Sequence, residues 1–553
     1  MMGLVSVEQR AKPLRVVVTV ECEPDAPPVG AGDTEINEGG RSIRTGIVPL
    51  DALEELSAQP GVRRIVPASY LRPCRDLAQA KVGVPEFRAR LDRTGDGVLV
   101  GVVDTGVFVG HPEFSGRIER VWDQTLAGGS GVPEGAYGAE FTDFAPGGAV
   151  LSRDVEGHGT HVAGIAAGTE GIAPGARIVA VKTDFQDAHI IDGIQYVFRV
   201  ADEMNMPAVV NLSLGGHSDP HDGTDVMSLA IEEESGPGRI VCCAAGNEGE
   251  DDIHARLTVT EGATASVPCH PGRVDGRPDL FWLNGWYAGG DRLEVAVASP
   301  SGESTAFQRV LTSGSPVRSY DLADGTVQIV TPGPDPANGD HSFFVAVEPT
   351  STAPTTGSPR WRLVLRGAGV NGQSSRADVW ILGQPEADPQ PQFSGPAVHD
   401  ALKIGSPGAA TSAITVAAST TRTEWRDIDG AQRVATWLVA DDIAGFSSEG
   451  PRRDGMPKPD VTAPGAMIVS TLSRNAVGLQ RALMIDNRRL ALQGTSMACP
   501  FIAGLVALLL EGDPSADPDK IRSFLTAAAA VPGGTPGSFD PKWGHGLVDA
   551  SLL

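Results

Sequence analysis

Two patterns of apolar residues alternate along the 553-residue chain. The first is a continuous run rich in Val, Ile and Ala, which is typical of a strand buried on both faces of a parallel sheet. Segments with small residues or helical periodicity separate these runs, and this alternation predicts a doubly wound α/β sheet. The predicted strands are residues 97–103, 178–183, 207–214, 239–245 and 413–418, and the predicted helices are residues 158–168, 190–204, 501–510 and 517–529.

The second pattern occupies residues 254–393, where apolar and polar positions alternate between turns rich in Pro and Gly. A period of two residues is typical of strands with one buried face, so this stretch predicts an all-β sandwich of about 140 residues. The α/β pattern resumes at residue 413, so the sandwich is predicted to be inserted within the α/β domain. We identify no nucleophile with a matching base in it and expect a structural element or a partner surface.

The N-terminal part of the chain predicts a small α/β unit of its own. Residues 15–20 and 42–48 have the composition of strands, and a stretch rich in Pro, Gly and acidic residues separates them. Four parts follow from these boundaries. They are the N-terminal unit (1–75), the first part of the α/β domain (76–253), the inserted sandwich (254–394) and the second part of the α/β domain (395–553).

Composition and charge exclude several classes of partner. With 44 basic and 69 acidic residues the net charge is -25, which argues against nucleic acid and anionic membranes as partners. No apolar run reaches the roughly 20 residues of a membrane-spanning helix, and residues 1–14 lack the apolar core of a signal peptide. We therefore expect a soluble, cytoplasmic protein. Six cysteines without a C-x-x-C pair predict reduced thiols.

A candidate nucleophile stands directly before the apolar run 501–510. Ser496 lies in the segment Gly-Thr-Ser-Met-Ala (494–498), at the predicted N-terminus of a buried helix with Pro500 in its first turn. Unpaired backbone N–H groups and the helix dipole at such a terminus stabilise a developing oxyanion. A serine hydroxyl also needs a base to take its proton and a partner to orient that base. The simpler interpretation of Ser496 alone is a helix N-cap.

Three other polar residues occupy positions suited to this chemistry. Asp104 ends the first predicted strand, and parallel α/β sheets carry their sites at the carboxyl ends of strands. His158 begins the first predicted helix, and Asn247 follows a strand and can donate its amide to an oxyanion. Taken singly, Asp104 and Asn247 are also ordinary turn residues. A metal pair of His158 and His161 is disfavoured because the sequence places no carboxylate or thiol ligand beside them.

Together these segments resemble the active-site motifs of the subtilisin family of serine peptidases. The order Asp, His, Asn, Ser is that family's order, and the likeness covers about residues 76–253 and 395–553. The segments that carry it are Asp104-Thr105-Gly106, His158-Gly159-Thr160-His161, Gly246-Asn247-Glu248-Gly249 and Gly494-Thr495-Ser496-Met497-Ala498, with further similarity at residues 213–216, 458–465 and 544–546.

The resemblance implies a serine endopeptidase on a subtilisin-type sheet. It implies Ser496 as the nucleophile, His158 as its base, Asp104 as the group that orients the base and Asn247 as the oxyanion donor. Protein or peptide substrate is expected, and no cofactor or metal ion is needed. The implied substrate-binding residues are Ser213, Leu214 and Gly215, which pair with extended substrate, and Ala244, Ala245 and Gly246, which line the pocket for the residue before the cleaved bond.

Two alternatives come from other functional classes. One is a catalytically silent scaffold that binds or regulates another protein, which the presence of all four site residues disfavours. The other is a serine hydrolase such as an esterase, which the missing second Gly of a G-x-S-x-G elbow disfavours. Glu248, which lies beside the implied pocket, is expected to favour a basic substrate residue.

Finer resemblances concern processing and metal binding. The N-terminal unit resembles subtilase propeptides, which predicts self-cleavage between Tyr70 and Ala78 and inhibition by the released propeptide; the alternative is a permanent domain. The insert resembles the jelly-roll insert of the clostridial spore-germination subtilases. Many such enzymes bind calcium after the catalytic histidine, but residues 166–172 form a connection too short to wrap the six to eight ligands of calcium. We therefore predict that this site is missing.

Overall fold

The computed structural model describes residues 15–553 except residues 25, 31, 33, 38–41, 68–71, 74–81, 130, 145–149, 310–316, 351–359, 385 and 536. A ten-stranded sheet forms its main body, and all but the two edge strands pair in parallel. This confirms the predicted α/β class. Across the sheet the strands are Ala529–Ala530, Leu547–Val548, Val461–Ala466, Ile414–Thr420, Arg239–Ala244, Ala208–Leu212, Leu99–Asp104, Arg177–Lys182, Ile118–Asp123 and Ala139–Phe141.

Helices cover both faces of this sheet, as the continuous apolar strands require. In the strand Leu99–Asp104, Val100 and Val102 pack into the core on the side of the helices His158–Ala167 and Thr495–Gly512, while Leu99 and Val103 pack towards the helices Asp187–Met204 and Val226–Glu234. The α-helices of the described residues are α1 (Leu53–Ser57), α2 (Val84–Leu91), α3 (His158–Ala167), α4 (Asp187–Met204), α5 (Val226–Glu234), α6 (Thr495–Gly512) and α7 (Pro518–Ala527). Short 3₁₀ turns are Leu50–Ala52, Pro112–Phe114, Arg481–Leu483 and Ala550–Leu552.

Helix α6 is the central helix of the core. It has the length and apolar composition of a membrane span, but 89% of it is buried inside the protein. It is longer than the apolar run 501–510, because its first turn is formed by Thr495, Ser496 and Met497. Pro500 therefore lies in the second turn rather than in the first, where it was predicted.

The inserted region is a sandwich of two antiparallel sheets with an apolar core between them. The six-stranded sheet consists, in order, of His254–Val259, Ser375–Gly383, Phe281–Tyr287, His341–Pro349, Gly325–Val330 and Val317–Leu322. The five-stranded sheet consists of Gln308–Arg309, Leu293–Ala298, Trp361–Gly367, Thr264–His270 and Gln392–Phe393. Two-stranded ribbons elsewhere are Arg273–Val274 with Arg277–Pro278, Glu424–Arg426 with Gln432–Val434, and Ile468–Thr471 with Arg489–Leu492.

The N-terminal unit is a four-stranded antiparallel sheet that docks on α4 and α5. Its strands are, in order, Glu35–Asn37, Ile43–Pro49, Arg15–Cys22 and Val62–Pro67. Thr45 and Asn37 donate hydrogen bonds to Asp192 of α4, and Ser42 donates to Glu233 of α5. Two carboxylates of the α/β domain therefore hold this sheet in place.

An arginine holds the sandwich against the α/β domain. Arg453 pairs with Asp222 of the α/β domain at 2.5 Å and with Asp340 of the sandwich at 2.6 Å. Its Nε also donates to Pro220 O at 2.6 Å, and its guanidinium lies over the ring of Trp286. The arginine and both carboxylates are largely buried, so each charge depends on the others for compensation.

Replacing Arg453 by Ala should therefore destabilise the junction. Removing one partner of a buried ion pair leaves the other charge uncompensated, and we expect a loss of about 3 kcal/mol in the free energy of unfolding. Chemical denaturation measures this loss. Arg481→Ala is the matched control, because Arg481 pairs with Asp429 in solvent and should be removable without measurable effect. Equal effects of the two substitutions would contradict the prediction.

Candidate active site

The site begins with a buried carboxylate and imidazole at the carboxyl edge of the central sheet. Asp104 is the last residue of Leu99–Asp104, and His158 is the first residue of α3. His158 Nδ1 lies 2.7 Å from Asp104 Oδ1, and the side chains are 5% and 0% exposed. Gly159 allows this approach, since a Cβ there would stand 2.2 Å from Gly106 O. The predicted partnership of Asp104 with His158 is thus present as a direct contact.

A second buried carboxylate, which the sequence analysis missed, fixes the start of α3. Asp154 accepts hydrogen bonds from the backbone of Gly157 and Thr160 and from the hydroxyls of Thr105 and Thr160. Burial raises the pKa of Asp154, although these four hydrogen bonds act to lower it. Thr105 follows Asp104, so Asp154 ties the strand end and the helix start together. The only sequence signal was an Asp three residues before a Gly-His pair.

Ser496 is the second residue of α6 and not its N-cap. Gly494 occupies the cap position, and no side chain caps the helix there, so the N-cap interpretation of Ser496 is wrong. Its hydroxyl lies 3.3 Å from Ser213 O, to which it donates. Ser213 directly follows the strand Ala208–Leu212, which neighbours Leu99–Asp104 in parallel. The candidate nucleophile therefore lies at the same sheet edge as the candidate base.

Ser213 supplies the hydrogen bond that Pro500 cannot give to the carbonyl of Ser496. In an α-helix the N–H of residue 500 would donate to the carbonyl of residue 496, and proline has no N–H. Ser213 Oγ donates to Ser496 O at 2.7 Å instead, and Asn211 Nδ2 donates to Ser213 Oγ at 2.9 Å. The proline in the second turn thus leaves a carbonyl that a neighbouring strand end satisfies.

Asn247 is anchored on the first residue of the same helix. Its Oδ1 accepts from the backbone N–H of Thr495 at 2.9 Å and from the Thr495 hydroxyl at 3.1 Å. Gly246 N also donates to Thr495 Oγ1 at 3.1 Å. Because the amide oxygen faces two donors, the NH₂ group of Asn247 is directed away from Thr495, which is the orientation an oxyanion donor needs.

Glu248 stabilises the loop that carries Asn247. Its Oε2 accepts from Asn247 N at 2.7 Å and from Ser448 Oγ at 3.0 Å, and it lies 3.4 Å from His217 Nε2. Burial acts to raise the pKa of Glu248, but His217 and these donors outweigh it and lower the pKa to about 2. The Glu248 carboxylate is thus engaged within the protein by His217, Ser448 and the Asn247 backbone, and the preference for a basic substrate residue stays a prediction.

Of the predicted substrate-binding residues, Ser213 contacts Ser496 directly. Leu214–Gly215 is a short strand, and the backbone of Arg72–Pro73 from the chain's own N-terminal region pairs with it in antiparallel fashion. Ala244 ends the strand Arg239–Ala244, and Ala245 N donates to Val416 O at 3.0 Å. The predicted cleavage window, Tyr70 to Ala78, lies outside the described residues except for Arg72 and Pro73.

The residues named for metal binding have other partners. His161 is buried and its Nε2 lies 3.2 Å from Leu490 O; burial lowers its pKa to about 3, so the ring is neutral. After α3 the chain turns back on the helix, with Ile172 N donating to Ile165 O and Ala173 N to Ala166 O. Within the described part of the chain, no group of three His, Cys, Asp or Glu side chains is arranged to hold a metal ion.

Comparison with known proteins identifies a matching family and several similar proteases. The model of the subtilase family matches residues 95–358 and 371–546. Serine protease AprX of Bacillus subtilis (strain 168) is 36% identical over 134 residues, which are 24% of this chain and 27% of that protein. Subtilisin-like protease SBT1.4 of Arabidopsis thaliana is 26% identical over 412 residues, which are 68% of this chain and 47% of that protein. The chain thus spans less than half the length of either relative.

Among solved structures, the Clostridium perfringens CspB protease superposes with a TM-score of 0.68 at 23% sequence identity. The match covers 85% of this chain and 95% of that one, and it shows that the two share a fold. The matched family model extends over most of the α/β domain and includes Asp104, His158, Asn247 and Ser496. The chain belongs to the subtilase family.

Proposed function

We propose that this chain is a serine endopeptidase whose catalytic triad is Asp104, His158 and Ser496. One observation carries the proposal. The buried carboxylate of Asp104 and the imidazole of His158 are 2.7 Å apart at the carboxyl edge of the sheet, where α6 begins with Ser496 in its first turn. This combination of an oriented base and a helix-borne hydroxyl is what acyl transfer requires.

The proposed mechanism follows from the hydrogen bond between His158 Nδ1 and Asp104. Asp104 accepts from Nδ1 of His158, which leaves Nε2 as the basic nitrogen. His158 takes the proton of Ser496 as the hydroxyl attacks the scissile carbonyl, and later gives it to the leaving amine. The buried carboxylate stabilises the imidazolium that forms between these steps. Asp154 has a positioning role, because it holds the helix start that carries His158.

The oxyanion is stabilised by two donors at the start of α6. One is the backbone N–H of Ser496, and the other is the NH₂ group of Asn247, whose oxygen is fixed by Thr495. The positive end of the helix dipole adds to both. Such donors act without reorganisation at the moment of reaction, and losing one typically lowers turnover about 10²–10³-fold.

The N-terminal unit is proposed to be a propeptide that the enzyme cuts itself. Pro73 lies opposite Leu214 and Arg72 opposite Gly215 in the antiparallel pair. The carbonyl of Ser213, the residue before Leu214, accepts from Ser496 Oγ, so the strand that pairs with Pro73 leads directly to the nucleophile. This register supports a cut shortly after Pro73, within the predicted window from Tyr70 to Ala78. Backbone pairing of this kind is how an added strand is recognised at a sheet edge.

The competing proposal is a subtilase scaffold without activity, and the triad substitution separates the two. Ser496→Ala should abolish peptide hydrolysis and labelling by a serine-directed phosphonate, because it removes the nucleophile. Asn247→Ala should lower turnover about 10²–10³-fold with little change in substrate binding. Steady-state kinetics on casein-derived peptides measure both. A wild-type protein that hydrolyses peptides no faster than Ser496→Ala would establish the scaffold.

Self-processing predicts a defined mass change. Freshly purified wild type should be cut between Pro73 and Ala78 and lose the residues before that bond, whereas Ser496→Ala should remain full length. Intact-mass measurement with N-terminal sequencing distinguishes these products. The permanent-domain alternative is established instead if active wild type keeps its full length.

The docked propeptide should be held more weakly as the pH rises from about 4 to 6. In the docked state burial raises the pKa of Asp192 to about 6, against the hydrogen bonds from Thr45 and Tyr137 and the charge of His189. Release of the unit exposes Asp192 to water. Because burial is the largest influence on this carboxyl and outweighs the hydrogen bonds from Thr45 and Asn37, its pKa should fall towards the usual value of about 3.9. The docked state then binds the proton more tightly, so docking is strongest below the lower value.

We expect the dissociation constant of the cleaved unit to rise by on the order of tenfold to 100-fold across this interval and to level off above it. Native mass spectrometry or gel filtration of the cleaved complex between pH 4 and 8 measures it. Asp192→Asn is the control and should remove the dependence. A dissociation constant that falls between pH 4 and 6 contradicts the assignment.

A further inference from the structure

The outer face of the six-stranded sheet of the sandwich is unusually apolar. Strand residues alternate between two faces, and Phe281 and Leu283 point into the sandwich core. The alternate residues of a two-layer sandwich normally face water and are polar. Here they include Trp282, Trp286 and Phe344, and strand pairing sets these residues on one face, since Trp282 pairs with Ala346 and Asn284 with Phe344.

One part of this face is docked on the α/β domain. Trp380 stacks on His221 with ring centroids 3.7 Å apart. Asn284 Nδ2 donates to His217 O and Asp219 O, each at 2.8 Å. Both contacts are made to the segment that follows the short strand Leu214–Gly215. The sandwich is therefore positioned relative to the predicted substrate edge and not merely attached to the domain.

The rest of the face lines a cavity of about 570 Å³. Trp282, Trp286 and Phe344 form one wall, and Val226 and Met227 of α5 form the opposite wall. Sites for small ligands and side chains typically have volumes of roughly 300–1,000 Å³ and mostly apolar walls. The size and lining of the cavity are thus those of a binding site.

The cavity is continuous with the edge that pairs with extended chain. Gly216 and Ser218 line it and directly follow Leu214–Gly215. A peptide that pairs antiparallel with this strand, as Arg72–Pro73 does, runs towards Gly216 in its N-terminal direction. With the residue opposite Ser213 counted as the one before the cleaved bond, the fourth residue upstream reaches Gly216. Residues from the fourth to the sixth are therefore directed towards the part of the cavity that Gly216 and Ser218 line.

The N-terminal unit closes the remaining side. Arg64 and Val66 line the cavity, and Arg64 is held by Glu21 at 2.6 Å and by Asp335 of the sandwich at 3.2 Å. Arg64 Nη2 also donates to Thr224 O at 3.3 Å. Removal of this unit takes away Arg64 and leaves the carboxylates of Asp187, Asp335 and Glu348 in the lining of the cavity.

We propose that the inserted sandwich is a substrate-selecting domain: its outer sheet face binds a bulky apolar side chain four to six residues upstream of the cleaved bond. This rests on the proposed peptidase function and assigns a part of the substrate site to the insert. Trp282 and Phe344 provide apolar contact area, and the carboxylates in the lining disfavour acidic residues there.

Peptides that share their three residues before the cleaved bond test this proposal. One series carries Phe, Leu, Ala or Glu at the fourth to sixth upstream positions, and a truncated peptide ends at the third. For active wild type we expect kcat/KM to be at least about tenfold higher with Phe than with Ala, and lowest with Glu. Trp282→Ala and the half-buried Phe344→Ala should reduce the Phe preference to under about threefold and leave the truncated peptide unaffected.

The control variant is Phe307→Ala, which removes an aromatic ring stacked on Arg366 elsewhere in the sandwich. It should keep the full preference. Equal rates for Phe and Ala peptides in wild type, or an unchanged preference in both cavity variants, overturn the proposal while cleavage of the truncated peptide persists. Absence of cleavage and of phosphonate labelling in wild type overturns the proposed function itself, so the two failures are distinguishable.

Discussion

The arrangement around Ser496 depends on one constraint: a fully buried helix must find partners for the polar groups at its first turn. Water does not reach the start of α6, so an unsatisfied N–H or C=O there would be costly. Asn247 Oδ1 accepts the Thr495 N–H, and Ser213 Oγ donates to the carbonyl that Pro500 leaves free. Satisfying the helix therefore brings an amide and a strand end to the nucleophile, each from a different strand of the sheet.

Buried carboxylates perform the equivalent task for the other parts of the molecule. Asp154 collects the donors at the start of α3, and Asp192 receives the N-terminal unit. Asp222 accepts the arginine that holds the sandwich. Each is surrounded by hydroxyls, amides or a guanidinium, which offset part of the cost of burying the charge. Some of the many acidic residues of the chain thus connect its elements and domains to one another.

Apolar periodicity predicted most of the fold. Continuous runs such as 97–103 and 239–245 predicted strands of the parallel sheet, and the period of two predicted the sandwich, because these patterns report which faces are buried. Motif order predicted the site residues. Hydrogen bonds between residues far apart in the chain could not be predicted from the sequence. One example is the bond from Thr495 N to Asn247 Oδ1 at the first residue of α6, a start that places Pro500 in the second turn. Asp154 and the pairing of Glu248 with His217 were missed for the same reason. The outward position of Trp282 was not predictable either, because the strand Phe281–Tyr287 has large apolar residues on both faces and its sequence does not show which face points into the core.

The path of the chain through the insertion has a consequence for how the parts coexist. The sandwich leaves the α/β domain near His254 and returns near His399, and His399 N donates to His254 O at 3.0 Å while Ala255 bridges Val398. Its two ends are therefore joined by their own pairing. The strands Arg239–Ala244 and Ile414–Thr420 are neighbours in the sheet. The loss of chain entropy on closing the long connection between them is therefore incurred largely when the insert folds and brings its own ends together. Seen from the α/β domain, an insert of some 140 residues therefore has closely spaced ends, as a short turn does. A domain of this size can be inserted here without altering the parallel sheet.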